Sequence, residues 1–432
     1  MGVFAGIELI SGPLPVVLGV IAVPAGVFLL LRRGLRWWFA VAAAVLVAAA
    51  LALAANWSII HLWRIDAYNL PLQVLGWLAL GIFAGLLTAL NFRSSTRRRK
   101  LLALAAGGAV VLVAVLQGNA YFGYYRTIGD ITGASTASIT PLVPAAGHPA
   151  AADPAPVAGH WAPPPNLPAH GTVHSAQIPG VRSGFDARTA YVYLPPAYDA
   201  PSHPLLPVLV LLPGEPGSPA DWLNSGQLQQ SMDAFAAAHQ GLAPVVVLPD
   251  VNGSTFGNTM CLDSRIANAD TYLSVDVPDW IKKTLRVDTD PQRWTIGGFS
   301  FGGTCSLQMA ALHPSVFPSA IDLSGEAEPT LFANDRVTVD TAFGGDAAAY
   351  AAVAPLNVMT RMRYPDSWMY FSVGAQDRTF VGYTATVSAA ARAAGMTVQV
   401  GSVRGVGHSW EVAAESLGPA LDWLAPRLGL VP

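Results

Sequence analysis

Trp294-Thr-Ile-Gly-Gly-Phe-Ser-Phe-Gly-Gly-Thr304 is the stretch on which the reading of this chain turns. Inside it lies Gly298-Phe299-Ser300-Phe301-Gly302, a G-x-S-x-G pattern that five residues alone produce often by chance. Context gives it weight, because a β-rich run (293–298) leads in and a helical run (302–313) follows at once. A serine held on a strained strand-to-helix turn needs glycine on both sides, since side chains at 298 and 302 would collide with neighbouring backbone. The start of the following helix also points backbone N–H groups at a carbonyl reacting with the serine. The pattern therefore predicts Ser300 as a nucleophile and the Phe301 N–H as one oxyanion donor.

Working outward, short β-rich runs alternate with helical ones from about residue 171. The strands fall at 172–178, 189–195, 207–213, 244–249, 293–298, 318–323, 367–373 and 397–403. The helices fall near 219–239, 273–286, 302–313, 381–394 and 409–427. Strands alternating with helices require crossover connections and so predict a mostly parallel sheet flanked by helices, with the first two strands free to form an antiparallel hairpin at one edge. Such a sheet with a nucleophile elbow at its centre is the α/β-hydrolase fold.

A serine nucleophile needs a base, usually histidine, and an acid that fixes the imidazole tautomer. Of nine histidines, only His408, in Gly405-Val-Gly-His-Ser-Trp-Glu411, combines a position after the last strand with a Gly-flanked loop. The acid belongs between Ser and His in chain order. Asp377, just past the strand ending Phe371-Ser-Val-Gly374, fits best; Glu326, Glu328, Asp346 and Asp366 compete. The second oxyanion donor is expected from the loop after the third strand, Leu212-Pro-Gly-Glu-Pro-Gly217, and the Glu215 N–H is the candidate. Residues 326–366 exceed an ordinary loop and predict a helical cap. Its Phe332, Phe343, Tyr350, Met359 and Met362 are available either to line an acyl pocket or to form the cap's own small core. This chemistry calls for no metal and no organic cofactor.

The first third of the chain is of another kind. Four apolar runs, 12–31, 37–55, 70–90 and 101–117, approach the ~20 residues that a membrane-spanning helix requires, and none contains an ionisable side chain. The whole chain of 432 residues is 52% hydrophobic and only 12% charged. Arg32, Arg33 and Arg36 lie between the first two runs, and Arg93 with Arg97–Lys100 between the last two. The loop between the second and third holds only Arg64, offset by Asp66. The positive-inside rule then puts both basic loops in the cytoplasm and everything after about residue 118 outside. Trp37, Trp38, Trp57, Trp63, Tyr121, Tyr124 and Tyr125 sit at run ends, as interfacial aromatics do. With no intramembrane charge to suggest transport, the bundle reads as an anchor.

The expected organisation is a four-helix transmembrane anchor over 1–125, a Pro/Ala-rich linker over 126–170 that forms an extended tether, and an extracytoplasmic catalytic domain over 171–432. His148, His160 and His170, in the linker, are too widely spaced for a compact metal site and read as solvated. Residues 1–126 carry ten of the 24 basic residues and two of the 27 acids, which leaves 127–432 with 14 basic and 25 acidic residues. A domain that acidic is ill suited to nucleic acid. The chain's two cysteines, Cys261 and Cys305, both lie in the domain placed outside, where thiols oxidise, and two permit one bridge. That bridge would pin a loop beside the elbow; buried free thiols are the alternative.

Residues 171–430 resemble the esterase D group of α/β-hydrolases, and among them the mycobacterial antigen 85 mycolyltransferases. The resemblance rests on the elbow Gly298–Gly303, the strand end Leu323-Ser-Gly325 and the histidine motif His408-Ser-Trp-Glu411. The chain departs from that family at Pro213, where the family has Asp, and at Asp377, where the orienting acid is Glu. The anchor resembles that of membrane-bound actinobacterial esterases. The resemblance implies acyl transfer through a covalent acyl-serine, with a trehalose mycolate as donor and acceptor. From the residues alone the expectation is a membrane-anchored serine esterase or acyltransferase working on ester-linked envelope lipids or glycolipids, with transfer to water or to a sugar hydroxyl left open. The alternative is a catalytically inactive hydrolase-like module for binding or scaffolding at the envelope.

Overall fold

The computed structural model describes residues 2–62, 68–93, 95–133, 139–144, 157–201, 204–331 and 335–431. Trp63, Arg64, Asp66, His148 and Phe332, named above, lie outside the described residues. The chain divides into two compact units, Met1–Ser135 and Thr136–Pro432.

The first unit is built on four long helices, α1 (Pro13–Leu30), α2 (Leu35–His61), α3 (Leu72–Phe92) and α4 (Arg97–Phe122), each long and apolar enough to cross a membrane. They exceed the apolar runs at several ends, because nothing in the flanking sequence stops a helix there. The basic tract Arg97–Lys100 forms the first turn of α4, capped by the Thr96 hydroxyl, which accepts from the Arg99 N–H. Association relies on small residues that let backbones approach. Ala44, Ala48 and Ala52 form a buried stripe on α2, and Ala103, Ala106, Gly107, Val110 and Ala114 another on α4. A Cβ at Gly107 would meet the Thr88 hydroxyl of α3, so the closest crossing depends on that glycine. After α4 the chain turns back through a short capped helix, Ile128–Thr132, tied to the N-terminal segment by Ile128 N–H to Ile7 O and Leu9 N–H to Arg126 O.

Among the described residues the second unit carries a nine-stranded sheet: β1 (Thr140–Pro141), β2 (Thr172–Ala176), β3 (Ala190–Leu194), β4 (Val208–Leu212), β5 (Val245–Leu248), β6 (Trp294–Phe299), β7 (Ser319–Leu323), β8 (Trp368–Gly374) and β9 (Thr397–Val403). The order is β1-β2-β3-β5-β4-β6-β7-β8-β9. β3 pairs antiparallel with β2 and β5, and the remaining pairs are parallel. β4 to β7 are buried along their whole length, as strands covered on both faces must be. All eight strands expected from the sequence are present. The ninth, β1, lies in the segment read as an extended tether, and other described parts of that segment are docked on the second unit. Val157 is buried, the Ala158 N–H donates to Gly429 O, and the Trp161 indole donates to Gln240 O. His170, read as solvated, pairs with Asp233 at 3.1 Å while staying largely exposed.

Three helices serve the site: α5 (Phe301–Leu312) after β6, α6 (Arg378–Ala393) after β8 and α7 (Trp410–Leu424) after β9. The cap segment forms short helices at Asp335–Phe343, Ala347–Val353 and Pro355–Arg361. Phe343 packs on the cluster of Met260, Leu262 and Ala342, Tyr350 sits edge-on to Phe343, and Met359 is buried. Phe343 and Tyr350 thus pack inward, on a cluster that the cap shares with the loop after β5. Met362 is 40% exposed.

Behind the sheet's centre, Asp322 on β7 is buried completely. Its carboxyl fills the space left by two glycines: a Cβ would approach its Oδ1 to 2.6 Å at Gly303 and 2.4 Å at Gly325. It accepts the Gly325 N–H at 2.7 Å. Burial pushes its pKa from 3.8 up to about 7, against the opposing pull of that hydrogen bond. A carboxyl whose pKa rises on folding keeps its proton in the folded state while the unfolded chain loses it. Stability therefore falls as pH climbs from 3.8 to about 7 and is level above. The neutral isostere Asp322→Asn should unfold at a higher temperature than the natural protein at pH 8, with the gap narrowing steadily to pH 4. Parallel melting curves across that range would show that Asp322 does not carry this cost.

Candidate active site

Ser300 sits between β6 and α5 with φ 55° and ψ −117°, a conformation unfavourable for any L-residue with a side chain. Two glycines make it sterically accessible. A Cβ at Gly298 would lie 2.3 Å from the Gly302 backbone, and one at Gly302 would lie 2.3 Å from Leu212 O on β4. The turn is tied down by hydrogen bonds from Ser300 N–H to Leu323 O at 2.8 Å and from Thr304 N–H to Ser300 O at 3.0 Å. The Thr304 hydroxyl in turn accepts the Glu326 N–H. The segment after β7 thus braces the first turn of α5.

The Ser300 hydroxyl donates to His408 Nε2 at 2.7 Å, and His408 Nδ1–H donates to Asp377 Oδ2 at 3.0 Å. Because an ionised carboxylate only accepts, the second bond fixes the proton on Nδ1 and leaves Nε2 as the acceptor facing the serine. The imidazole lies between Phe299 and Phe380, with ring centroids 5.2 and 4.1 Å away. Asp377 also caps α6, its Oδ1 accepting the Phe380 N–H. Asp377 thereby orients both the imidazole and one of the rings beside it. The two loops are locked together: Ala375 N–H donates to Val403 O and Gln376 N–H to Val406 O, and a Cβ at Gly374 would lie 2.1 Å from Gly407 O. Of the competing acids, Asp346 is occupied in capping the helix Ala347–Val353.

Phe301 begins α5, so its N–H has no intrahelical acceptor. The loop carrying Glu215 passes close to the serine, with a Cβ at Gly214 falling 3.6 Å from Ser300 Cβ. Three residues that no motif marked hold that loop. Asn252 donates to Gly214 O at 3.2 Å. Arg188 donates to Gly217 O at 3.0 Å and to both oxygens of the fully buried Asp250. Asp250 further accepts the N–H groups of Arg188, Asn252 and Gly253. Cys261 and Cys305 form a disulfide with a Cα–Cα distance of 5.5 Å, joining the loop after β5 to the second turn of α5. Among the described residues no group of three or more His, Cys, Asp or Glu is arranged to hold a metal ion.

The model of the Esterase family matches residues 186–420. An uncharacterised protein of Corynebacterium glutamicum is 44% identical over 255 residues, covering 57% of this chain and 59% of that protein. The chain thus spans about three-fifths of the length of that curated relative. Among solved structures, a ferulic acid esterase aligns with a TM-score of 0.50 at 18% identity, covering 60% of this chain and 99% of its own. An S-formylglutathione hydrolase from Agrobacterium tumefaciens aligns with a TM-score of 0.50 at 19% identity, covering 61% and 98%. At these identities the likeness is one of fold.

Two glycines separate backbone necessity from accident. Gly302→Ala drives a methyl group into the Leu212 carbonyl and should lower the unfolding temperature by several degrees or prevent folding. Gly382→Ala, on α6 with nothing within 4 Å of its Cβ, should instead stabilise by about 1 kcal/mol. Equal melting temperatures for the two variants would contradict the steric account.

Proposed function

The chain belongs to the Esterase family, and from that premise we propose that it is a membrane-anchored serine esterase or acyltransferase with its catalytic unit outside the cell membrane. Its substrates are ester-linked lipids or glycolipids of the envelope. The observation that carries the proposal is the continuous line of hydrogen bonds from Ser300 through His408 to Asp377. His408 takes the hydroxyl proton as Ser300 Oγ attacks the ester carbonyl. The oxyanion that forms is held by the N–H groups of Phe301 and Glu215. The protonated imidazole then passes its proton to the departing alcohol and leaves an acyl-serine. Water or a sugar hydroxyl, deprotonated by His408, attacks in the second half and regenerates the serine. Asp377 stays ionised throughout and stabilises the imidazolium. Arg188, Asp250 and Asn252 act through the oxyanion loop, which they hold beside Ser300.

In this reading residues 1–125 are the anchor, 126–170 connect it to the catalytic unit, and 171–432 carry the chemistry. Two features support the outside placement: the basic loops between α1 and α2 and between α3 and α4, and the Cys261–Cys305 disulfide, which persists in oxidising compartments. Envelope lipid esters suit an enzyme whose own membrane segment keeps it at the lipid surface.

A fluorophosphonate probe should label the natural chain and leave Ser300→Ala unlabelled. Asp377→Asn, which presents the wrong tautomer, should lower turnover of a simple ester on the order of 10⁴-fold. Undiminished labelling of Ser300→Ala would dispose of the assigned nucleophile. No labelling of the natural chain would favour a binding or scaffold module. Asn252→Ala should slow turnover with little change in KM, since the loop it steadies serves the transition state.

A further inference from the structure

The basic end of the four-helix unit holds a second candidate site, independent of the esterase chemistry. Between the α1–α2 and α3–α4 connections lies a cavity of about 520 Å³ lined by Leu31, Arg32, Arg33, Ser95, Thr96 and Arg99. Two of its arginines are fixed in place. Arg32 donates to Leu90 O, Arg93 O and the Ser95 hydroxyl, and its guanidinium lies over the Trp37 ring. Arg99 donates to Leu31 O and twice to the Asn91 amide oxygen, and stands over Phe28. Asn91, fully buried, is itself held by its donations to Leu29 O and Leu87 O.

Every acceptor in this network is neutral. Among the described residues no carboxylate forms an ion pair with Arg32, Arg33 or Arg99, and the acids described in this unit, Glu8 and Asp130, belong to its other end. The guanidinium groups keep N–H donors to spare, since each has five. The first turn of α4 compounds the imbalance, because a helix N-terminus favours anions and this one carries Arg97–Lys100. A preformed fork of arginines at a helix start, lacking a counter-charge, matches a phosphate group. Around the cavity the same end exposes Leu31, Leu35, Trp38 and Phe92, between 41% and 72% accessible. That apolar rim suits acyl chains and ill suits a soluble anion.

We propose that this cavity binds the phosphate headgroup of an anionic phospholipid, one per chain. Arg32, Arg33 and Arg99 contact the phosphate and the lipid's chains run along the exposed apolar rim. The bound lipid supplies the negative charge that the protein leaves out and joins the two basic connections.

The test is native mass spectrometry of the full chain in neutral detergent, titrated separately with phosphatidylglycerol, with phosphatidylcholine and with soluble glycerol phosphate. One phosphatidylglycerol should bind, more tightly than either of the others. Arg33→Gln and Arg99→Gln should each weaken it roughly fivefold. Arg97→Gln and Arg98→Gln remove the same charge from the same helix but do not line the cavity, and should leave the affinity unchanged. Arg33 is exposed and makes no hydrogen bond among the described residues, so its variant reads binding even where Arg99→Gln fails to fold. Equal weakening by all four substitutions would mean diffuse attraction and no site. Phosphatidylcholine binding as tightly as phosphatidylglycerol would remove the charge argument. Glycerol phosphate binding as tightly as the lipid would make the occupant a soluble phosphate.

Discussion

Between Gly302 and the carbonyl of Leu212 there is no room for a methyl group, and the arrangement of the catalytic unit follows from that contact. It sets β4 against the start of α5 and lets the strained Ser300 backbone stand at the end of β6. Unfavourable backbone conformations persist only where their surroundings over-determine them, and here the surroundings are specific. Leu323 O receives the serine's N–H, Thr304 links the first turn of α5 to the chain after β7, and the disulfide ties the second turn to the loop after β5. Asp322, buried at the same junction, fills the gap that two further glycines leave open. The serine is therefore positioned by the sheet's central strands and their connections rather than by a flexible loop.

The histidine and aspartate reach it by the same economy. β8 and β9 are neighbours, so the loops at their ends emerge side by side, and direct backbone bonds between 375–376 and 403–406 fix their separation. Phe299 from the serine's strand and Phe380 from the aspartate's helix flank the imidazole, so each member of the constellation helps to hold another.

Much of this was legible in the amino-acid order because the determinants are local. Runs such as Val208–Leu212 and Val245–Leu248 are too short and too β-branched for helices, and the glycines around Ser300 and His408 mark turns that admit little else. β1 was not legible: it has two residues, one a proline, within a Pro/Ala-rich segment, and exists only because β2 offers an edge. Arg188, Asp250 and Asn252 were hidden for a different reason. Arg188 and Asn252 reach the loop carrying Glu215 across 29 and 38 positions, and Arg188 meets Asp250 across 62. Nothing in their neighbours announces the pairing. Asp322 sits in Ser-Ala-Ile-Asp-Leu, which reads as a strand whichever way its carboxyl points. The cap residues were ambiguous by nature, since Phe343 or Met359 serves equally well in a small core or a pocket wall. The arginines at the basic end were visible as topology signals, but their convergence on one cavity depends on how four helices pack.

The central claim is that acyl groups pass through the hydroxyl of Ser300. Its most direct measurement is intact-mass analysis, followed by peptide mapping, of the chain quenched in acid during reaction with an envelope lipid extract. The account requires a single mass increment equal to the donor's carboxylic acid less one water, borne on the peptide that contains Ser300 and absent after further incubation without donor. Turnover of the same extract with no such adduct, or an adduct carried on any other residue, would contradict it.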